Sequence, residues 1–289
     1  MNLGGLLIVD KPGGLTSHDV VAKCRKLLGT RRVGHAGTLD PMATGVLVLG
    51  VERATKLLGL LALTTKAYTA TVRLGAATTT DDAEGEVLST ADASGVTDAE
   101  IASAIAALTG DIMQVPSTVS AIKIDGQRAY ARARAGEQVD IPARPVTVSR
   151  FEVLARRGVD LDVVVDCSSG TYVRALARDV GSALGVGAHL TALRRTRVGP
   201  FELKHAVTLE HLAAAPGVSL DIDAAIALSF PQRAIDAGQA VDLSLGKWLD
   251  PVGIDGVYAA VDPDGRAIAL LKEQGRRASS VFVVRPSNL

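Results

Sequence analysis

The residues 34–50 carry the types and spacing that could do chemistry. Gly34-His35-Ala36-Gly37-Thr38-Leu39-Asp40-Pro41 is a small-residue turn holding one histidine and one carboxylate. Pro41 closes the turn and disfavours a helix start there. Val46 to Leu49, an apolar run between glycines, reads as a short buried strand. A carboxylate is therefore held at the mouth of a rigid element, on a loop that another molecule can reach. An isolated Asp-Pro is commonly the start of a type I turn; the length of this run sets Asp40 apart. Two other stretches join it. Lys66-Ala67-Tyr68-Thr69-Ala70 lies on an alternating strand pattern, and Gly170-Thr171-Tyr172-Val173-Arg174 opens a helical one. Aromatic residues are only 3% of the chain, so each tyrosine is worth a question.

Composition narrows the class. The 289 residues suffice for one large domain and a small one, and 47% hydrophobic residues allow a full core. No apolar run reaches the roughly 18 residues of a membrane helix. The N-terminus lacks the basic segment of a signal peptide. Cys24 and Cys167 give no disulfide framework and read as small buried hydrophobes. His35, His189 and His205 have no ligand spacing, so no metal site is expected. A cytoplasmic protein fits these features. Net charge is zero, with 31 basic and 31 acidic residues, but it is unevenly spread. Residues 1–60 hold 8 basic and 4 acidic side chains, 61–120 hold 2 and 8, and 121–210 hold 14 and 10. The basic excess travels with the candidate site regions, and local patches set attraction to phosphates.

The elements that must position these residues follow from pattern. Residues 6–9 form a short buried strand. Thr16 or Ser17 caps a helix with Asp19 in its first turn, ended by Gly29. Residues 78–85 form a polar turn whose aspartates serve as turn formers. Thr97-Asp98-Ala99-Glu100 is a capping box opening a helix. Residues 126–134 read as a basic helical segment. Residues 146–154 and 161–165 pair around Gly158, 188–201 are extended, and Thr208 starts a helix. From about Pro231 the chain reads as short strands and turns, with Asp262-Pro263-Asp264-Gly265 as a hairpin turn.

The run 34–50, the Lys-x-Tyr-x-Ala and Gly-Thr-Tyr-Val-Arg segments, and the opening Asp10-Lys11-Pro12 with the following Gly-x-Thr-Ser resemble the bacterial tRNA pseudouridine-55 synthases, the TruB family. The resemblance covers roughly residues 3–215. It implies an α/β (α+β) fold: a mixed, largely antiparallel sheet with flanking helices and a central cleft. It places a catalytic domain at 1–230 and a small PUA-like RNA-binding β-domain at 231–289. The implied activity is isomerisation of one uridine in the T-loop of tRNA to pseudouridine, by base flipping and without cofactor, metal or redox change. In that reading Asp40 is the nucleophile. Attack on C1′, attack on C6 and a glycal route all stay open. Tyr68 stacks on the flipped uracil and moves a proton. Arg174 holds Asp40 ionised and lowers its pKa. Tyr172 packs beside Arg174, Leu193 caps the uracil face, His35 stacks within the remodelled T-loop, and Lys11 buttresses the catalytic loop. Arg31, Arg32, Lys123, Arg128 and Arg132 contact the RNA. Residues Ser117 and Val119 depart from the family pattern, which usually has a second proline and an aromatic before Ser-Ala-x-Lys. The implied partner is the T-arm of tRNA. A monomer without guide RNA is expected, because the chain starts two residues before its first strand region, unlike the guided relatives. Help with tRNA folding, modification of another RNA and a purely RNA-binding role are the alternatives.

Overall fold

Leu6, Leu7, Ile8 and Val9 are all fully buried, and so are Val46, Leu47, Val48 and Leu49. Strands with no exposed side must be covered on both faces, which is why these runs are continuous and not alternating. In the computed structural model the described residues are 3–117 and 141–288, with the backbone of Lys123–Ile124 and Gln127–Arg128. The two runs lie on β1 (Gly4–Lys11) and β3 (Thr44–Glu52), paired antiparallel with Ile8 opposite Val48. Between them come α1 (Ser17–Leu27) and β2 (Val33–Ala36). Helix α1 is started by the reciprocal Thr16–Asp19 capping box.

The chain continues through α2 (Leu58–Leu61), β4 (Lys66–Leu74), β5 (Ala76–Thr78), β6 (Val87–Thr90), α3 (Asp98–Ala107) and β7 (Gly110–Gln114). Helix α3 carries the expected Thr97–Glu100 capping box. The short strands β8 (Lys123–Ile124) and β9 (Gln127–Arg128) pair antiparallel. Gln127–Arg128 is thus extended where the sequence pattern gave a helix; the rest of 126–134 lies outside the described residues. Then follow β10 (Arg144–Arg157), β11 (Asp160–Cys167), α4 (Val173–Ala183), β12 (Ala188–Val198), β13 (Phe201–Glu202), α5 (Leu209–Ala214), β14 (Leu220–Asp221) and α6 (Ile222–Ser229).

The main sheet runs β14-β1-β3-β12-β4-β11-β10-β7, with β2 added on β3 and β13 on β12. It is a mixed, largely antiparallel sheet: β12 meets β3 in parallel and β4 antiparallel. The parallel junction is tight. A Cβ on Gly45, whose φ is +100°, would lie 2.1 Å from the Arg195 carbonyl oxygen, so this position takes only glycine. Asp40 precedes β3, Tyr68 sits on β4, Arg195 on β12 and Arg174 on α4, so four motifs distant in sequence meet at this seam.

A second sheet of β15 (Gln232–Ala234), β16 (Val257–Val261), β17 (Ala267–Gln274) and β18 (Arg277–Val283) forms the C-terminal unit. The hairpin at 262–265 joins β16 and β17 as expected. The tail also contains α7 (Ala237–Ser244), started by an Asp236–Gln239 capping box. This sheet is not loosely tethered. Ala259, Ala267, Leu270 and Val284 share one apolar cluster with Leu6, Ile8, Val46 and Val48, the face of β1 and β3 turned away from α1. Arg53 donates from Nη2 to the Val283 carbonyl at 2.6 Å and from Nε to that of Val284 at 3.0 Å.

Candidate active site

The turn that carries Asp40 is fixed from beneath. Ser17 accepts from the Leu39 amide at 2.9 Å and donates to its carbonyl at 3.2 Å. The Gly14 amide donates to the Pro41 carbonyl at 2.8 Å. Lys11 is completely buried, and its Nζ donates to the carbonyls of Pro12, Leu15 and Pro41 at 2.9, 2.6 and 3.1 Å. Burial lowers its pKa to about 8, against the pull of Asp40. Lys11 is thus a brace that ties β1 and the α1 entry to the turn; its ammonium is spent on carbonyls.

Arg174, 3% exposed, faces Asp40 side-on. Its Nε lies 2.9 Å from Oδ2 and its Nη2 donates to Oδ1 at 3.2 Å. The two alternatives for this arginine have other partners: Asp179 pairs with Arg178 and Asp166 with Arg197. Arg174 Nη1 also donates to the Thr80 carbonyl at 2.8 Å and lies 3.4 Å from Asp82 Oδ2. Asp82 is buried and accepts at Oδ1 from Thr80 Oγ1 and, at 3.0 Å, from the Glu84 amide. Asp82 is therefore more than a turn former. The guanidinium is shared by two carboxylates, and the second was hidden in a turn rich in Thr and Asp.

Burial, not this sharing, is what overturns the expected direction of the Asp40 pKa. Burial raises it most; Arg174 opposes, but Asp82 adds to the rise. A third of the Asp40 side-chain surface is open to the cavity. The net direction is upward from the ordinary carboxylate value.

Asp40 opens into a cavity of about 840 Å³, large enough for a nucleotide. Tyr68, Leu193, Tyr172 and Arg174 all line it. Tyr68 is 7% exposed, and burial pushes its phenol up, so it is a neutral hydroxyl at the floor. Tyr172 precedes α4, and its backbone is clasped by Gln114: the Tyr172 amide donates to Oε1 at 2.8 Å and Nε2 donates to its carbonyl at 3.1 Å. The Tyr172 ring packs under the Arg144 guanidinium, 4.9 Å from centroid to Cζ, and so stands beside Arg144.

Other expected residues lie elsewhere. His35 sits on β2, its ring edge-to-face with that of His18 at 5.4 Å; His18 lines the cavity. Burial, then the charges of His18 and Arg195, lowers the His35 pKa. Arg31 and Arg32 are exposed after α1, and Arg32 lies 3.7 Å from Glu52. The backbone of Lys123 and Arg128 is on the β8–β9 pair; Arg132 is outside the described residues. Sequence reasoning missed Lys66, Glu84, Arg144 and Arg195 on the cavity wall. Lys66 and Arg195 lay inside quoted motifs beside Tyr68 and Leu193, so adjacency was the available signal.

A carboxylate, a neutral phenol and a matched arginine at the bottom of a nucleotide-sized cavity can attack or deprotonate a sugar carbon and move a proton on a base. Among the described residues no cluster of ligands could hold a metal ion, and no helix is long and apolar enough to cross a membrane. Comparison with known proteins agrees with the geometry. Residues 25–173 match the model of the TruB family pseudouridylate synthase N-terminal domain. Residues 174–224 match the tRNA pseudouridylate synthase B C-terminal domain, and 230–285 the tRNA pseudouridine synthase II C-terminal domain. A protein of Nocardia farcinica named tRNA pseudouridine synthase B is 75% identical over 99% of this chain and 95% of its own length. One of the same name from Rhodococcus jostii is 73% identical with the same coverage. Among solved structures, a Cbf5-Nop10-Gar1 complex aligns with TM-score 0.76 at 27% identity, over 98% of this chain and 86% of that one. An H/ACA RNP bound to a substrate RNA containing 2′-deoxyuridine aligns with TM-score 0.75 at 25% identity and the same coverage. The chain belongs to the TruB family of pseudouridylate synthases.

Proposed function

We propose that this chain isomerises uridine 55 in the T-loop of tRNA to pseudouridine, with Asp40 as the nucleophile or base and Tyr68 and Arg174 beside it. The observation that carries the reading is the two-point clamp of Arg174 on Asp40 next to Tyr68 in one cavity. The names of the relatives that are 75% and 73% identical support tRNA as the substrate. The C1′–N1 bond of a stacked, paired nucleotide is out of reach of any side chain, so the target must be flipped into the cavity. Single-stranded loops are where proteins read RNA in this way. The ring of Tyr68 forms one wall for the uracil and Leu193 the other. Tyr172 and Arg144 line the wall at the α4 start. Lys11 holds the loop, and Arg31, Arg32, Lys123, Arg128 and Arg132 face the RNA backbone.

In the same reading 1–230 is the catalytic domain and 231–289 an RNA-binding unit, the enzyme works as a cytoplasmic monomer without a guide RNA, and it also assists tRNA folding. The test is to incubate the pure protein with unmodified tRNA, with no guide added, and map pseudouridine by position. Conversion at uridine 55 alone supports the reading. Conversion elsewhere, or only in another RNA, overturns the substrate assignment. Loss of conversion in Asp40→Asn with tRNA binding intact supports the role of Asp40; conversion within about tenfold of the parent, where loss of a covalent or acid–base group costs far more, overturns it.

A further inference from the structure

Beneath the cavity two cations are buried in no ion pair with any described residue. Arg195 is 1% exposed and stands directly opposite Tyr68 in the β12–β4 ladder, so both side chains share one face of the sheet. Its guanidinium donates to three carbonyls, Nε to Val46 at 2.8 Å, Nη1 to Thr38 at 3.3 Å and Nη2 to Gly37 at 3.1 Å, and it also bears on the Tyr68 hydroxyl beside it. Lys66 is also buried, and its Nζ donates to the carbonyls of Ala62 and Thr64 at 2.9 and 2.6 Å. The two flank Gly37: a methyl group there would lie 3.7 Å from both Arg195 Nη1 and Lys66 Cε. Among the described residues neither is in an ion pair, in contrast to Arg174, which has two carboxylates.

Carbonyl dipoles solvate a buried cation but leave its charge in place. An unpaired buried ion is costly, and two beside each other repel. Burial lowers the pKa of Lys66, Lys11 and His35 and the field of Arg195 adds to that fall, while at Tyr68, which burial pushes up, the field of Arg195 pulls the other way. A fixed positive field in a water-poor site is what stabilises an anion that exists only during a reaction. A phosphate is the weaker candidate for that anion, because both cations sit at the cavity floor and are closed to solvent.

We propose that Arg195 and Lys66 together are the counter-charge for the uracil anion during isomerisation. This rests on the activity proposed above. When C1′–N1 breaks, its electron pair stays on the base and spreads from N1 to O2 and O4. C1′ is satisfied by an Asp40 oxygen, or by a double bond to C2′ after Asp40 takes the 2′ proton. The anion turns over the positive floor and C5 bonds to C1′ as the Asp40 oxygen leaves that carbon, or as Asp40 returns its proton to C2′; C5 then loses its hydrogen as a proton and N1 gains one. Nothing is oxidised or reduced. Arg174 cannot serve in this role, because its charge is already matched by Asp40 and Asp82.

The test uses leaving-group basicity. Fluorine on C5 makes the uracil anion a weaker base that needs less help. Single-turnover cleavage is measured with enzyme in excess on tRNA carrying uridine or 5-fluorouridine at the target, following loss of the starting nucleoside in digests, alongside tRNA Kd. Arg195→Gln should slow the uridine reaction about 10²-fold and Lys66→Met about tenfold, in the range of lost preorganised donors, with Kd unchanged. On 5-fluorouridine both losses should shrink by about tenfold, as expected if the charge acts on the leaving base. Equal losses on the two substrates would assign the pair to scaffolding and overturn the proposal. Weakened Kd with normal turnover of bound tRNA would assign it to a phosphate and overturn it equally. Lys66→Met gives up only two hydrogen bonds and decides the matter alone if Arg195→Gln does not fold. The parent protein is the control: no pseudouridine at all sinks the proposed activity, whereas normal conversion with equal losses sinks only this inference.

Discussion

Asp82→Asn isolates the second carboxylate on Arg174. The two side chains are 3% and 4% exposed and their charged atoms lie 3.4 Å apart. At an effective dielectric near 20 the gross attraction is about 5 kcal/mol. The amide keeps an oxygen for Thr80 Oγ1 and the Glu84 amide, so the turn holds. Its NH₂ group then faces Arg174 Nη1, donor against donor. Asp40 is then the carboxylate left in ion-pair contact with Arg174 among the described residues, and Asp40 loses the neighbouring charge that adds to the rise burial gives its pKa. The carboxylate becomes less basic and more tightly clamped. If about a third to a half of the gross term reaches the transition state, the rate falls by about 20–60-fold. The acid limb of the pH–rate profile should move down, because Asp40 ionises at lower pH. Asp81→Asn is the control. Asp81 is also buried, but it accepts from Ser117 and lies 3.4 Å from Arg178, with φ +60° that asparagine tolerates. It should stay within about threefold, as expected where no contact to Arg174 is lost. Single-turnover pseudouridine formation across pH, with tRNA binding and thermal unfolding, decides. Equal effects of the two substitutions, or an upward shift of the acid limb in Asp82→Asn, would refute the shared-arginine argument.

Tyr68→Phe keeps the ring and should cut turnover by about 10²-fold or more if the hydroxyl moves a proton, with tRNA affinity intact; single-turnover kinetics test this. Gly45→Ala should unfold or drastically destabilise the protein, because the added Cβ falls 2.1 Å from the Arg195 carbonyl oxygen; circular dichroism and melting temperature report it. Truncation after Phe230 should yield an aggregating or destabilised fragment, because it uncovers Leu6, Ile8, Val46 and Val48, and Arg53→Ala should cost about 1–3 kcal/mol in urea unfolding through its two lost carbonyl bonds. Lys11→Met tests linkage. The folded pKa of Lys11 is about 8 and its ordinary value is 10.5, so between these the unfolded chain binds more protons and Lys11 makes stability rise with pH. The thiols of Cys24 and Cys167, raised from 9.0 to about 11, act in the opposite sense. The difference between parent and Lys11→Met is therefore the quantity to measure, and a flat difference from pH 8 to 10.5 would contradict the assignment.

The local signals in this chain were strong where one residue type has one job. The Thr16–Asp19 and Thr97–Glu100 caps, the 262–265 hairpin and the two buried strands were all legible, because caps, turns and apolar runs are written within a few residues. The meeting of Asp40, Tyr68, Tyr172 and Arg174 in one cavity was legible only through the resemblance, since it depends on β12 joining β3 to β4 across 150 residues of sequence. What escaped was partnership at a distance. Asp82 looked like any aspartate in a polar turn until Arg174 stood against it. Tyr172 was assigned to Arg174, its neighbour by sequence, whereas Arg144 arrives from β10 to cover the ring. The α7 helix was missed because Gly238 and a short apolar pattern hid an intact Asp236–Gln239 cap.

The net charge is zero, and the structure shows why the total is a poor guide to an RNA enzyme. The charges that bear on chemistry are buried and differ in what they face. Arg174 is shared between Asp40 and Asp82, Lys11 is spent on three carbonyls, and Arg195 and Lys66, on the cavity wall, are in no ion pair among the described residues. The surface pairs, such as Arg73–Asp160 and Arg157–Asp162, add charges of both signs that cancel in the sum and contribute little to stability. Where the few unpaired buried cations of the described residues stand is a property that composition averages away and that the placement of β12 beside β4 creates.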